Sequence, residues 1–168
     1  MTIGYAQKSD SRVHRRLLAG QSPQVVGLDY SLNEPLGKIE TLELDGDKTI
    51  RVYDLVELIA EKFRALLQQE RRNRVRRQDI FDLNFILNTH PEINDKVSKQ
   101  KILNRLKEKS AARELPVNQE SMANPEIRSR AQAEYPQLAN EIDGELPQFD
   151  VIYTVVEEYY RSLPWKIT

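Results

Sequence analysis

Two stretches near the middle of the chain carry the clearest hydrophobic periodicity. From Asp54 to Leu67 apolar residues recur at three- and four-residue steps, which is the spacing of one helix face. Asp54 is a candidate N-cap, and Glu57 three positions later gives a pattern similar to a capping box. The stretch from Gln78 to Leu87 is apolar almost all round, which predicts a buried helix. Between the two helices lies an arginine-rich loop, residues 71–77.

Lys62 interrupts the apolar stripe of the first predicted helix. A cation on a buried face must extend to solvent, pair with an anion or bind an anionic ligand. Asp79 and Asp82 are three residues apart at the start of the second helix, so they share a face. The pattern leaves two interpretations open. Lys62 either forms an ion pair that orients the two helices or belongs to a binding pocket.

Short strands are predicted before these helices. Residues 24–30 indicate a buried strand, and residues 39–44 and 49–53 alternate apolar and polar positions. The Asp-Gly-Asp sequence at residues 45–47 is typical of a hairpin turn between them. Residues 1–23 are polar and contain a small basic cluster. We interpret them as a solvated arm or one short helix, or as an arm that docks on a partner or nucleic acid.

Three further helices are predicted after His90. The first, residues 97–113, is strongly basic on one side. The second begins at Pro125, a residue suited to a first helical turn, with Asn124 as its cap. The last runs over residues 149–163.

These elements predict an α+β fold in which a small N-terminal antiparallel or mixed sheet precedes a C-terminal helical bundle. We expect residues 1–23 to form a polar arm and residues 24–168 to form a single domain. Within that domain the sheet part covers residues 24–53 and the helical part residues 54–168. A chain of 168 residues is long enough for one domain with a substantial core.

Composition excludes several classes of protein. The formal net charge is -1, so the chain as a whole has no electrostatic attraction for nucleic acid. No cysteine is present and there are only two histidines, which argues against a disulfide framework and a zinc site. No apolar run approaches the roughly 20 residues that span a bilayer, and no apolar signal core begins the chain. We expect a cytoplasmic protein without a membrane partner.

The segment AEKFRALL, the arginine-rich loop and the segment QDIFDL together resemble the C-terminal half of the AbiEii/AbiGii toxin family of nucleotidyltransferases. Chains of that family carry an AEK-x-x-AL helix followed by a KD-x-x-D helix. The tail FDVIYTVVEEYYRSLPW also resembles the end of such chains, so the likeness covers roughly Val25 to Trp165. The family's N-terminal catalytic motif, Gly-Ser followed by Asp-x-Asp, is absent from this sequence.

The resemblance implies roles for several residues by their place in the pattern. It implies that Lys62 and Asp79 act in catalysis, and that Lys62 and Asp82 bind the nucleotide. Glutamine replaces the lysine that the family carries before the first aspartate, and Arg76 and Arg77 are candidates to supply the lost charge. If the chain is active, the resemblance implies Mg²⁺ and a nucleoside triphosphate as cofactors.

Asp29 is the candidate metal ligand, since the family's core sheet places a third carboxylate on a strand after the Asp-x-Asp segment. The other interpretation of Asp29 is a strand-end aspartate that points to solvent. The formal Asp-x-Asp sequence at residues 45–47 is interpreted as hairpin turn chemistry, because no Gly-Ser precedes it at the required distance.

Arg71, Arg72 and Arg74 are candidates for nucleic-acid or partner binding, since guanidinium groups suit phosphate oxygens. The other interpretation is a solvated loop. A basic stripe on the helix over residues 97–113 extends this surface, and its members are Lys99, Lys101, Arg105, Lys107 and Lys109. No aromatic residues are interleaved for base stacking, so base recognition is not indicated.

We therefore expect a nucleotidyltransferase-like toxin of a bacterial toxin–antitoxin or phage-defence system, in a partial or split form. Met1 stands where the family's catalytic sheet would already have begun, so enzymatic activity would require a partner that carries the Asp-x-Asp motif. The expected partners are an antitoxin or such a catalytic chain, and tRNA or another RNA. The alternative is a non-catalytic binding or scaffolding subunit that grips a partner protein or RNA. A small nucleic-acid-binding module is the third interpretation.

Overall fold

The computed structural model of the protein describes residues 2–27, 37–44 and 46–165. The chain divides into two compact units, Met1–Glu34 and Pro35–Thr168, which are described separately. The division between an arm and a domain predicted at residue 23 stays a prediction, since compactness alone does not define a folding domain.

The first unit contains two short strands and one helix: β1 (Thr2–Gly4), α1 (Ser11–Leu18) and β2 (Val25–Gly27). β1 and β2 are antiparallel, with Ile3 opposite Val26. α1 begins after Asp10, whose carboxylate accepts hydrogen bonds from the first free N–H groups of the helix. Of the two local interpretations of this segment, the short helix is the one observed.

The second unit opens with a β-hairpin formed by β3 (Ile39–Glu43) and β4 (Thr49–Tyr53). The strands are antiparallel, and their register runs from Ile39 opposite Tyr53 to Glu43 opposite Thr49. Gly46 has a φ of 76°, a left-handed conformation that favours glycine over other residues. The predicted hairpin is therefore confirmed.

The remainder of the second unit is helical. Its helices, in chain order, are α2 (Leu55–Leu67), α3 (Gln69–Arg72), α4 (Arg77–Thr89), α5 (Lys96–Ala111), α6 (Pro125–Gln132) and α7 (Phe149–Arg161). Short 3₁₀ segments lie at Pro91–Asn94, Ser121–Ala123 and Tyr135–Asn140. Asp54 and Asn124 cap α2 and α6 as predicted, each accepting a backbone N–H through its side chain. With its small antiparallel sheets and its helical C-terminal region, the fold is α+β, as predicted.

The hydrophobic core lies between α2, α4, α5 and α7. Its fully buried side chains include Ile59, Phe63, Leu66, Leu83, Ile102, Leu106 and Tyr160. The tyrosines of α7 pack their rings in this core and donate their hydroxyls to backbone carbonyls, as Tyr153 does to Met122. Phe85 is 57% exposed, so the prediction that α4 is buried all round is wrong at this position. α4 instead has an outer face, because its packing partners cover only one side.

A buried ion cluster joins α2 to α5. The carboxylate of Glu57, 1% exposed, accepts hydrogen bonds from Arg105 and lies 2.7 Å from Nζ of Lys109, which is also 1% exposed. The capping-box interpretation of Glu57 is therefore wrong, since its side chain turns to α5. Arg105 and Lys109 likewise do not belong to an exposed basic stripe. Gly37 packs so closely on this cluster that a Cβ there would overlap the Glu57 carboxylate.

Candidate functional site

The candidate site lies where α2 meets the first turns of α4. Lys62 extends from α2, and its Nζ lies 3.1 Å from Oδ1 of Asp79 and 2.6 Å from Oδ2 of Asp82. The side chains of Lys62 and Asp79 are 15% and 14% exposed, whereas that of Asp82 is 43% exposed. The two aspartates reach the same ammonium because residues three apart on a helix lie on one face. Of the two interpretations of Lys62, the ion pair is observed, and the binding pocket stays a prediction.

Asp79 is the member of this triplet whose carboxylate is incompletely hydrogen-bonded. Its Oδ2 is buried and has no hydrogen-bond partner, and the nearest cation on that side is Nη1 of Arg76, 3.8 Å away. Burial raises the pKa of Asp79 above its usual value, and the charge and hydrogen bond of Lys62 offset this effect only in part. A buried carboxylate oxygen without a donor is costly, so it marks a position where a ligand or partner group with a donor would bind favourably.

Lys62 itself is held in the charged form. Burial alone would lower the pKa of the ammonium, but the hydrogen bond and charge of Asp82, together with those of Asp79, outweigh it and raise the pKa. At neutral pH the lysine is therefore a cation between two carboxylates. If both carboxylates are ionised, the triplet carries one net negative charge.

A small cavity of about 110 Å³ lies beside Asp79 at the start of α4. It is lined by Val75, Arg76, Arg77, Gln78 and Asp79. α4 has no side-chain cap at this end, and among its first N–H groups that of Asp79 donates to the carbonyl of Arg76. This volume is several times that of one water molecule and is large enough for a phosphate group rather than a whole nucleotide.

The guanidinium of Arg77 is engaged elsewhere. Its two terminal nitrogens lie 2.9 Å from Glu134 and 2.9 Å from Glu141, and Gln78 also donates to Glu141. The hydrogen bond from Arg77, with that from Gln78, lowers the pKa of Glu141. Among the residues that the structure describes, Arg76 pairs only with Asp79, at 3.8 Å, and its side chain is 36% exposed. Of the two arginines named as replacements for the missing lysine, Arg76 therefore has the freer side chain.

The triplet does not fit a magnesium ion. Mg²⁺ takes several oxygen ligands, but the Lys62 ammonium already lies between the two carboxylates that would provide them. Among residues 2–27, 37–44 and 46–165, no group of three or more acidic, histidine or cysteine side chains is arranged to hold a metal. Asp29, the predicted metal ligand, lies outside the described residues.

The sequence was compared with models of known protein families. Residues 3–155 match the model described as "Nucleotidyl transferase AbiEii toxin, Type IV TA system". The chain belongs to the AbiEii family. The match covers most of the chain and confirms the resemblance to AbiEii/AbiGii toxins inferred from the α2 and α4 motifs. Neither the curated proteins nor the solved structures contained a significant match.

The arginine-rich segment of this AbiEii-family chain is less uniform than its sequence suggests. α3 extends through Arg72, so a helix replaces the first part of the predicted loop. Arg71 donates to the backbone carbonyls of Arg113 and Glu114, which binds it to the end of α5. Arg72 and Arg74 are exposed and form no ion pair with any described residue. These two side chains are the free cations of the segment.

The partners of Arg77 were not identified from the sequence. Glu134 and Glu141 lie 57 and 64 residues further along the chain, in a region without any motif of the AbiEii pattern. A signal for them is hard to find, because isolated glutamates in polar segments are ordinarily solvated.

None of the helices in the described part of the chain is long and apolar enough to span a bilayer.

Proposed function

We propose that this chain is the helical part of a toxin-type nucleotidyltransferase, with its nucleotide site at the Lys62 triplet. The observation that carries the proposal is the meeting of Lys62, Asp79 and Asp82 at the junction of the two family motifs. An ion triplet that is only partly buried, with an orphaned carboxylate oxygen beside a cavity, is also typical of a functional site.

Lys62 and Asp79 are assigned catalytic roles in this proposal. In nucleotidyl transfer an acceptor oxygen bonds to the α-phosphorus of a nucleoside triphosphate, and pyrophosphate leaves with the bonding electrons. A positioned ammonium stabilises the charge on the phosphate oxygens, as Lys62 would. Asp79 and Asp82 hold that ammonium at a fixed position. Arg76 and the first N–H groups of α4 are the groups we assign to a phosphate, and Arg77 contributes through its backbone.

The divalent metal and its carboxylates are assigned to a second chain. The sequence lacks the Gly-Ser and Asp-x-Asp motif, and the triplet does not fit Mg²⁺. In this proposal the carboxylates come from outside the given 168 residues, and we assign them to a partner that presents them next to Lys62. This is the split form expected from the sequence. In this form the nucleoside triphosphate and Mg²⁺ bind to the assembled pair of chains. The type IV toxin–antitoxin family also implies an antitoxin.

The test is a transfer assay with radiolabelled nucleoside triphosphates, Mg²⁺ and total tRNA. The purified chain alone should give no labelled RNA, and the chain mixed with a partner carrying Gly-Ser and Asp-x-Asp should give label. Lys62→Met should abolish the label in the mixture. Lys101→Met, which removes an exposed lysine of α5, is the matched control and should retain it. Label formed by the chain alone would refute the requirement for a partner.

A second candidate function is supported by Arg72 and Arg74. These exposed arginines lack partners among the described residues, and a binding subunit that grips RNA needs such free cations. In that case the chain is a non-catalytic subunit, and mixing it with any partner yields no label. If the chain binds RNA but no nucleoside triphosphate supports transfer in the mixture, this second function is favoured over the first.

A further inference from the structure

The described residues of the first unit, 2–27, are basic, whereas the whole chain is not. They contain four lysine or arginine side chains and one acidic side chain, a net charge of +3 against -1 for the full sequence; Asp29 and Glu34, outside the described residues, bring the unit Met1–Glu34 to +1. Three of the four, Arg12, Arg15 and Arg16, lie on α1 and are exposed. Their spacing of three and four residues places them on one face of the helix.

No acidic side chain in the described part of the unit neutralises this face. The one described carboxylate, that of Asp10, is used as the N-cap of α1 and accepts from the backbone N–H groups of Arg12 and Val13. Arg15 makes only a local hydrogen bond to the carbonyl of Ser11. Three neighbouring guanidinium groups without counter-charges repel one another, and an anionic partner relieves that repulsion.

The opposite face of α1 packs within the unit. Val13 and Leu17 are half-buried, and Leu17 packs near Gly4 of β1, where a Cβ would lie 3.0 Å from its Cδ1. A basic amphipathic helix that inserts into a membrane needs a free apolar face. Here that face packs on the β1–β2 sheet through Leu17, and Leu18 is the one large apolar residue of α1 left exposed. The charged face is therefore the part of α1 available to a partner.

We propose that the arginine face of α1, formed by Arg12, Arg15 and Arg16, binds the phosphate backbone of a nucleic acid. Guanidinium forks match phosphate oxygens and bind them through paired hydrogen bonds. The face presents three such groups in a row, and the helix has no phenylalanine, tyrosine or tryptophan, so it recognises backbone charge and not base sequence. This inference does not rest on the proposed transfer activity, since it concerns only binding by the first unit.

The experiment measures binding of the full chain to a short fluorescein-labelled single-stranded RNA across a salt series. Two arms use duplex RNA and single-stranded DNA, which distinguish the source of the phosphates. The test variant is R12Q/R15Q/R16Q, in which glutamine keeps helix propensity close to that of arginine. The matched control is K48Q/K96Q/K101Q, which removes three exposed lysines that form no ion pair with the described residues. R72Q/R74Q serves as a separate variant for the arginines after α3.

Loss of three phosphate contacts should lower the slope of log Kobs against log salt by about 2 for a single strand. Between about 50 and 200 mM salt the parent should therefore lose about fifteenfold more affinity than the R12Q/R15Q/R16Q variant. The control should keep the parent's slope on at least one of the three nucleic acids. An equal change in the control would show general charge attraction and would overturn the proposal.

Two competitors complete the test. Polyglutamate and vesicles containing phosphatidylserine offer negative charge without a nucleic-acid backbone. Either should compete weakly with RNA for the parent chain. Binding to polyglutamate or to the vesicles as tight as to all three nucleic acids would assign the face to an acidic protein or a membrane instead. An unchanged slope in R12Q/R15Q/R16Q, with circular dichroism confirming that the variant is folded, would also overturn the proposal.

Discussion

Replacing Lys62 with methionine removes the ammonium that binds Asp79 and Asp82 and keeps most of the side chain's apolar stem. The consequence differs for the two aspartates. Asp82 is 43% exposed and can be solvated by water when the lysine is lost. Asp79 is 14% exposed, and its Oδ2 already has no hydrogen-bond partner. The free energy lost on substitution is therefore expected to come from Asp79.

Breaking a buried ion pair by removing one partner costs about 3–5 kcal/mol. We expect the lower part of that range, about 3 kcal/mol, because Arg76 stays near Asp79 and the site is not fully closed. For a chain of this length each kcal/mol lowers the melting temperature by about 2–4 °C, so Lys62→Met should melt about 6–12 °C below the parent. Asp82→Asn should lower it far less, since pairs with exposed members contribute about 1 kcal/mol or less.

The double variant K62M/D79N tests the assignment to Asp79. Its neutral amide has no buried charge to compensate, so the double variant should recover most of the stability lost in Lys62→Met. Thermal melting followed by circular dichroism is measured for the parent, Lys62→Met, K62M/D79N and K62M/D82N. Recovery in K62M/D79N but not in K62M/D82N would confirm that the cost arises from one uncompensated carboxylate.

The pH dependence of the same difference has a defined sign. The pKa of Asp79 is raised by burial, and removal of Lys62 raises it further. A carboxylate with a raised folded-state pKa destabilises the fold when it ionises, so the penalty in Lys62→Met disappears as pH falls through that pKa. The difference in melting temperature between Lys62→Met and the parent should therefore shrink as the pH falls through the raised pKa of Asp79. Because the pKa of Lys62 is also raised, its own contribution is lost only in alkaline solution above its usual value of 10.5.

A Lys62→Met protein with the same melting temperature as the parent at every pH would refute this reasoning. It would mean that the ammonium contributes nothing to the fold and serves a ligand alone. The pocket interpretation then gains support if a nucleoside triphosphate raises the melting temperature of the parent but not of the variant. If the variant melts lower and no nucleotide stabilises the parent chain, the isolated chain has an ion pair and no complete nucleotide site.

Two further predictions concern cations at opposite extremes of exposure. Lys109→Met should cost about 3 kcal/mol or more, because Glu57 is 1% exposed and would lose the ammonium that lies 2.7 Å from its carboxylate. Lys107→Met, which removes an exposed lysine of α5, should change urea unfolding little. Equal unfolding midpoints for the two variants would contradict the importance of the buried cluster. R72Q/R74Q should change the free energy of unfolding by no more than about 0.5 kcal/mol per substitution. It should weaken RNA binding, measured by fluorescence anisotropy, and make that binding less dependent on salt. Unchanged affinity and an unchanged salt slope would identify a merely solvated segment.

Local chemistry explains which elements were predictable from sequence. Asp54 and Asn124 act as caps within three residues of the groups they bind, and the glycine of the hairpin adopts the left-handed conformation that its turn requires. These signals are readable because cause and effect lie in the same short segment. The Lys62 triplet was predictable for a related reason. A cation on an apolar helix face is unusual, and so are two aspartates on one face of the next helix. Each is explained by the other, because the ammonium and the carboxylates pair.

The buried cluster on the other side of α2 could not be predicted in the same way. Glu57 stands where a capping box would place it, and Lys109 stands in a run of exposed basic residues, so each has an ordinary local explanation. Only the packing of α2 on α5 brings them together, 52 positions apart in the chain and with both side chains 1% exposed. Periodicity describes which face of a helix is buried but not which neighbour covers it.

The two clusters together give α2 a role beyond apolar packing. Glu57 fixes one side of the helix to α5, and Lys62 fixes another side to α4. Apolar side chains tolerate small shifts along a helix, whereas short hydrogen bonds between charged groups do not, so these contacts are candidates to set the register of the bundle. A substitution at Lys62 can therefore displace α4 as well as remove a charge from the candidate site. Transfer regained by K62M/D79N, whose stability is restored, would show that Lys62→Met acts through the fold and would argue against a direct role of the lysine.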